Sequence, residues 1–142
     1  MVTEMKNRVS RRALDKKVDH RGWLLKILMR HHIETSKEFG EIYITTATPG
    51  NVKGNHYHRE TTEWFCVLAG TARLVTRDME TGETAELVMS ADEPCVVTVL
   101  PTVAHAFENI GNEDMMLLAY ADVPYDAAAP DEVKLELIST EG

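Results

Sequence analysis

The sequence predicts an all-β fold, a sandwich or barrel of short strands. Three observations carry this. From Glu41 onward, runs rich in Val, Ile, Thr and aromatic residues recur, and these side chains suit a pleated, half-buried surface. Turn signals separate the runs at intervals of roughly eight to twelve residues. The 142 residues, 44% hydrophobic and 27% charged, have the balance of one soluble globular domain. A chain of this size buries roughly two thirds of the surface its unfolded form exposes, so its core needs neither disulfide nor metal.

The elements follow in order. Residues 1–20 read as an N-terminal arm and 21–142 as a single domain. Ser10 to Val18 is expected as a short helix or a loose arm. Trp23 to Met29 is apolar on both faces, and Gly22 in front with the short length favours a strand. Ile42 to Thr46 are strong strand formers, closed by the turn pair Pro49-Gly50. Thr62–Leu68 and Thr71–Arg77 flank Ala69-Gly70, a hairpin signal. Thr81-Gly82, Asp92-Glu93-Pro94 and Gly111-Asn112 separate the remaining strands, which include Thr84–Met89, Val96–Leu100 and Met115–Ala121. Glu132 to Ile138 is a last strand or a short helix. Cys66 and Cys95 lack a CxxC spacing and are expected as buried, reduced thiols.

Charge and hydropathy exclude whole classes of function. Fifteen basic against 23 acidic residues leave a net charge of −8, which argues against nucleic-acid binding, a task that needs Lys and Arg on phosphates. No apolar run approaches the ~20 residues of a bilayer span, so no membrane partner is expected. Met1 to Lys17 is polar and lacks the apolar core of a signal peptide, which makes the cytoplasm the default location.

The informative segment is Gly50-x5-His56-x-His58-x4-Glu63-x6-Gly70. Histidines two apart on a strand project from the same face. Glu63, on the next strand-like run, can bring a carboxylate to the same point, and His105 returns a third imidazole from a later strand. Three imidazoles and a carboxylate suit one divalent first-row ion, zinc favoured, with iron, manganese or nickel as alternatives. Without an ion, the same histidines serve acid–base chemistry.

Gly50 through Gly70 matches the first motif of the cupins at every fixed position, and His105 and Asn109 fit the second, in which Leu100 and Thr102 replace a Pro and a Gly. The chain therefore resembles a cupin over roughly residues 40–125. The resemblance implies a double-stranded β-helix, a jelly-roll-like barrel with its site in the mouth. Asp19-x-Arg21-Gly22 and Lys53-Gly54-Asn55-His56-Tyr57-His58 are similar to segments of the dTDP-4-dehydrorhamnose 3,5-epimerases. In that family His56 matches the catalytic histidine, Lys53 stands where an arginine is found, and Tyr125 corresponds in position to the tyrosine that protonates the sugar carbanion. Gly54-Asn55-His56-Tyr57-His58, Glu63 with Phe65, and Asp126-x3-Pro130-Asp131 resemble the cupin domain of the capsular-polysaccharide reductase/epimerases. That family has a lysine where Thr61 stands here, and the 142 residues hold no GxGxxG dinucleotide motif.

The resemblance implies a sugar-nucleotide epimerase or isomerase that removes the proton next to the ketone of a 4-keto sugar. Its expected catalytic residues are His56 and Tyr125. Lys53, Tyr43, Arg21 and Arg77 are expected to bind substrate, and His56, His58, Glu63 and His105 a metal. A histidine bound to an ion cannot also be the free base, so His56 has two exclusive roles. The alternatives are a metal-dependent cupin oxygenase or isomerase acting on a non-nucleotide molecule, and a non-enzymatic sugar- or metal-binding module. Strand parity adds an expectation about assembly. If Glu63, Phe65 and Val67 face inward, Trp64, Cys66 and Leu68 face outward as an apolar patch, which a homodimer or the chain's own N-terminal run would cover.

Overall fold

The computed structural model describes residues 2–6, 8–33 and 37–140. Thirteen strands are present among them: β1 (Val2–Lys6), β2 (Val9–Ala13), β3 (Lys17–Asp19), β4 (Gly22–Leu24), β5 (Glu41–Ala47), β6 (Val52–Tyr57), β7 (Glu63–Ala69), β8 (Thr71–Asp78), β9 (Thr84–Ser90), β10 (Cys95–Val99), β11 (Val103–Asn109), β12 (Met115–Ala121) and β13 (Val133–Lys134). A single 3-10 turn, Arg30–His32, is the only helical element among the described residues. Two antiparallel sheets face each other, one ordered β1-β2-β10-β7-β12-β5 and the other β13-β6-β11-β8-β9. This is the all-β, jelly-roll-like barrel expected from the sequence.

Alternation along the strands builds the core. Phe65 and Val67 of β7, Val97 and Val99 of β10, Leu74 of β8 and Phe107 of β11 meet between the sheets. Burial at this density is the main source of stability.

Three local expectations are corrected. Ala69-Gly70 does not close a hairpin: β7 lies in one sheet and β8 in the other, so the chain crosses between sheets there. The hairpin partner of β8 is β9, with Thr71 opposite Ser90. The Ser10–Val18 run is neither helix nor loose arm at its start, because β2 pairs along β10, Ala13 opposite Cys95 through Val9 opposite Val99. Of the apolar Trp23–Met29 run only Trp23 and Leu24 are strand, as the end of β4, which pairs with β3 in a two-stranded hairpin outside both sheets. Cys66 and Cys95 are buried and free.

The outward face of β7 is covered from within the chain. Trp64, Cys66, Val96 and Tyr120 form a second cluster against Leu14, Ile27, Leu28 and Ile33, and Trp64 is left 5% exposed. The Arg12 guanidinium ties this cover down by donating to the Ile27 carbonyl at 2.7 Å. This corrects the ground for a homodimer on that face, which needed an open patch.

Arg8, between β1 and β2, grips Asp78 at the end of β8 with two hydrogen bonds of 2.9 and 3.0 Å. That contact is the main reason the Asp78 carboxyl titrates low, at about 2 against an ordinary 3.8. A depressed carboxyl stabilises the fold above its unfolded value and loses that contribution as pH falls from about 4 towards 2. Urea midpoints measured over this range should drop for the wild type and flatten in Arg8→Ala. An equal slope in both would detach the acid sensitivity from this pair.

Candidate metal centre and active-site cavity

The site forms where β6 and β11 of the smaller sheet face the start of β7 in the larger one. His105 of β11 lies directly opposite His56 of β6. The next pair is Ala106 with Gly54, so Asn55 is an extra residue, a β-bulge. Gly54 and Asn55 take φ values of 95° and 60° there. The bulge resets the alternation, and His56 and His58 then stand with ring centroids 5.1 Å apart. Glu63 opens β7 opposite Val99 and Ala121, and its side chain is buried.

One donor atom from each of His56, His58, Glu63 and His105 lies within 4.8 Å of the others. Their second atoms are already committed. Nδ1 of His58 is 2.6 Å from the Asp131 carbonyl oxygen and Nδ1 of His105 is 3.1 Å from that of Val103. A carbonyl only accepts, so both Nδ1 atoms carry a proton, and in the neutral form of each ring Nε2 is the bare nitrogen. Nδ1 of His56 faces the Glu132 carboxylate at 3.1 Å, with the same consequence. Tyr43 donates its hydroxyl to Oε2 of Glu63 at 2.8 Å, leaving Oε1.

Oε1 of Glu63 sits 2.9 Å from Nε2 of His58 and 3.2 Å from Nε2 of His105. None of these three buried atoms has a hydrogen bond of acceptable geometry. Lone pairs on buried atoms thus converge, which is repulsive unless a proton or a cation stands among them. The donor set, nitrogen and oxygen with fixed tautomers behind it, fits a divalent first-row ion.

The electrostatics follow the same geometry. Burial, then the neighbouring imidazoles of His105 and His58, lower the His56 pKa to about 4, so His56 is neutral near pH 7. Burial opposes charge on His58, but Glu63 and the Asp131 carbonyl outweigh it and raise its pKa. Burial also opposes charge on Glu63, yet His105 and His58 hold its carboxyl below the usual range. Burial and the adjacent Glu63 push the Tyr43 hydroxyl up, so it stays a donor.

Two cavities meet at this cluster. The mouth, about 450 Å³, is lined by carboxylates, among them Glu41, Glu60, Asp126, Asp131 and Glu132, and by Thr61 and Tyr125, with no Lys or Arg among the described residues that line it. The second, about 340 Å³, opens between β5 and β6 and is lined by Lys53, Phe65, Phe107 and Leu117. Tyr43 and His56 belong to both.

The structure brings His56, His58, Glu63, His105, Tyr43, Lys53 and Tyr125 to these cavities. Tyr125 is at the rim, its backbone N–H bonded to Glu41. Arg21 and Arg77 are not among them. Arg21 is exposed on the β3–β4 hairpin and paired with Asp19 at 2.6 Å. Arg77 is exposed, and alternation along β8 puts it on the outer face with Arg73, opposite to the buried Leu74 and Thr76.

Sequence reasoning missed the supporting residues. Glu132 holds His56, and Asp131 holds His58 through its carbonyl. The Asp131 side chain also accepts from the Arg59 and Glu60 N–H groups and the Thr61 hydroxyl, which shapes the turn between the histidines and Glu63. Asp131 occurs in the tail pattern noted above, and its return to the HxH strand was the missing signal.

Among known proteins, the family described as polysaccharide biosynthesis C-terminal domain matches residues 17–133. A UDP-2-acetamido-2,6-beta-L-arabino-hexul-4-ose reductase of Pseudomonas aeruginosa is 31% identical over 113 residues, 80% of this chain and 29% of that protein. The chain thus spans less than a third of that relative. A spore coat polysaccharide biosynthesis protein, SpsL, of Bacillus subtilis is 26% identical over 129 residues, 87% of this chain and 85% of the relative. The crystal structure of a dTDP sugar isomerase from Desulfovibrio desulfuricans G20 superposes with a TM-score of 0.80 over 90% of this chain and 83% of the other, at 22% identity, and shares the fold.

Proposed function

This chain belongs to the polysaccharide biosynthesis C-terminal domain family, and from that premise we propose that it epimerises or isomerises a nucleotide-linked keto sugar. The observation that carries the proposal is a split within the histidine cluster. Nε2 of His58, Oε1 of Glu63 and Nε2 of His105 are buried without partners, whereas the His56 ring is part-exposed, neutral and backed by Glu132. His58, Glu63 and His105 would hold one divalent ion, and His56 is the base. An ion bound there supplies a Lewis acid for the oxygen of the keto group.

The chain's own groups supply the proton transfers. Nε2 of His56 takes the proton from the carbon beside the ketone, and the electron pair moves to the carbonyl oxygen. Glu132 accepts the His56 Nδ1–H and stabilises the imidazolium as it forms. Tyr125 at the rim returns a proton to the opposite face of that carbon. Tyr43, bound to Glu63, positions that carboxylate instead of acting as the acid. A diphosphate finds no cation among the described residues that line the mouth, so its anionic end lies towards Lys53 in the second cavity. The sugar-biosynthesis relatives support this substrate class, and the buried cluster of His58, Glu63 and His105 supports the metal dependence.

With a 4-keto sugar nucleotide in deuterated water, the wild type should place deuterium at the carbon beside the ketone. His56→Asn should slow this by about 10²–10⁴-fold while retaining divalent-ion binding. No wash-in by the wild type across a panel of such sugars would refute the reaction class, and loss of the ion in His56→Asn would make His56 a ligand.

A further inference from the structure

Asp131 and Glu132 do not belong to the barrel strands. They ride on the strip of chain that leaves the barrel after β12 and returns alongside β6. The strip has its own attachment, separate from the imidazoles. Val133 and Lys134 pair with Tyr57 and His56 as β13. Leu135 N–H donates to the Asn55 carbonyl at 2.9 Å. The Asn55 side chain then clamps the end of the strip. Its Oδ1 accepts from Leu137 N–H at 2.8 Å and Ile138 N–H at 3.1 Å, and its Nδ2 donates to the Ile138 carbonyl at 3.0 Å. Ile138 is buried. Asn55 is the bulge residue, so the irregularity that aims His56 inward also presents the clamp outward.

We propose that residues 131–138 are a working part of the ion site, so that docking of this strip and binding of the ion are one coupled equilibrium. The proposal rests on the reading of His58, Glu63 and His105 as ion ligands. The physical argument is tautomer control. Only the docked strip supplies the acceptors that hold Nδ1–H on His58 and His56 and leave Nε2 bare. With the strip released, both rings are free to rotate, and the His58 ring can move its proton to the nitrogen the ion needs. Outer partners of this kind are worth about 10–100-fold in metal affinity. Linkage is reciprocal, so the ion must hold the strip as strongly as the strip holds the ion. Asn55 touches neither ligand nor cavity chemistry and is therefore a positioning residue.

The test uses the full chain and zinc(II) alone. Asn55→Gly keeps a backbone at ease with positive φ while removing the three side-chain bonds. Zinc affinity, read by competition with a chromophoric chelator, should fall about 10–100-fold in Asn55→Gly and recover in part in Asn55→Asp, which keeps the accepting oxygen. In the wild type, zinc should slow tryptic cleavage after the exposed Lys134, followed by mass spectrometry, and in Asn55→Gly the zinc-free protein should be cut faster. Unchanged zinc affinity in Asn55→Gly would overturn the coupling. So would cleavage at Lys134 that ignores bound zinc, a measurement that needs no variant. A wild type that binds no zinc would instead overturn the ion reading on which this one stands.

Discussion

Glu63→Gln should abolish divalent-ion binding and turnover without weakening the barrel. The side chain keeps its shape, and an amide oxygen can still accept from Tyr43, now 2.8 Å from Oε2. In the wild type without an ion, Oε1 faces two imidazole nitrogens at 2.9 and 3.2 Å, and only a proton on one of those nitrogens relieves the contact. A glutamine can turn its NH₂ towards one of those lone pairs, so the free protein keeps a hydrogen bond at this place. The same change removes the only anionic oxygen of the ligand set. The two effects are read in one experiment. Melting of the free variant should stay close to that of the wild type. Saturating zinc at about 100 times Kd should stabilise the wild type by about 2.7 kcal/mol and leave the variant unmoved. A zinc-induced shift of equal size in both proteins would remove Glu63 from the ligand set.

Gly54→Ala should cost both fold and site. A Cβ at this position would lie 2.8 Å from the His105 carbonyl oxygen and 3.3 Å from the Ala106 Cα, both backbone atoms that cannot swing aside. The φ of 95° adds strain of about 1–3 kcal/mol for any residue with a Cβ. Gly82 separates the two contributions. Its φ is 80°, but nothing lies within 4 Å of a Cβ there. Gly82→Ala should therefore lose only the conformational part, and Gly54→Ala about 3 kcal/mol or more in total. Because the contact is with His105 itself, the separation of β6 from β11 should also weaken zinc binding, which Gly82→Ala leaves intact. Equal urea midpoints for the two variants would show that β6 relaxes away from His105 without penalty.

The parts of the molecule legible in the sequence were those governed by local rules. Ile42 to Thr46 had to be strand by propensity, and it is β5. The spacing of His56, His58 and Glu63 is informative because side-chain direction alternates along a strand, and the parity that turns Trp64 outward follows from the same rule. Partner choice was not legible. Ala69-Gly70 has the turn chemistry of a hairpin, but that chemistry serves equally well where a chain steps from one sheet to the other. Ser10, Arg11 and Arg12 carry no apolar alternation, so β2 is held by its ladder to β10 more than by its own side chains. Trp23 to Met29 looked apolar on both faces because Ile27 and Leu28 pack on the barrel while Trp23 projects outward over Lys16. Arg77 is a plausible anion ligand by type, and only its place on the outer face removes it. Glu132 and Asp131 are ordinary surface acids until the strip brings them beside two imidazoles, and nothing in their neighbours along the chain announces that return.

The pairing order of the larger sheet also bears on how the molecule is made. β2 finds β10, and β5 finds β12, across most of the length of the chain, while local hairpins account only for β1–β2, β3–β4 and β8–β9. Such wiring gives a high contact order, and chains of this kind fold in milliseconds to seconds, not microseconds. A chain emerging from the ribosome with β5 to β7 complete would have His56, His58 and Glu63 on segments whose partner strands have not yet been made. His105 joins them only when β11 has been made, and the acceptors of residues 131 and 132 only later still. On the ion-site reading proposed above, metal supply during synthesis would bear on which ion the finished protein carries, beside the preference of the folded site.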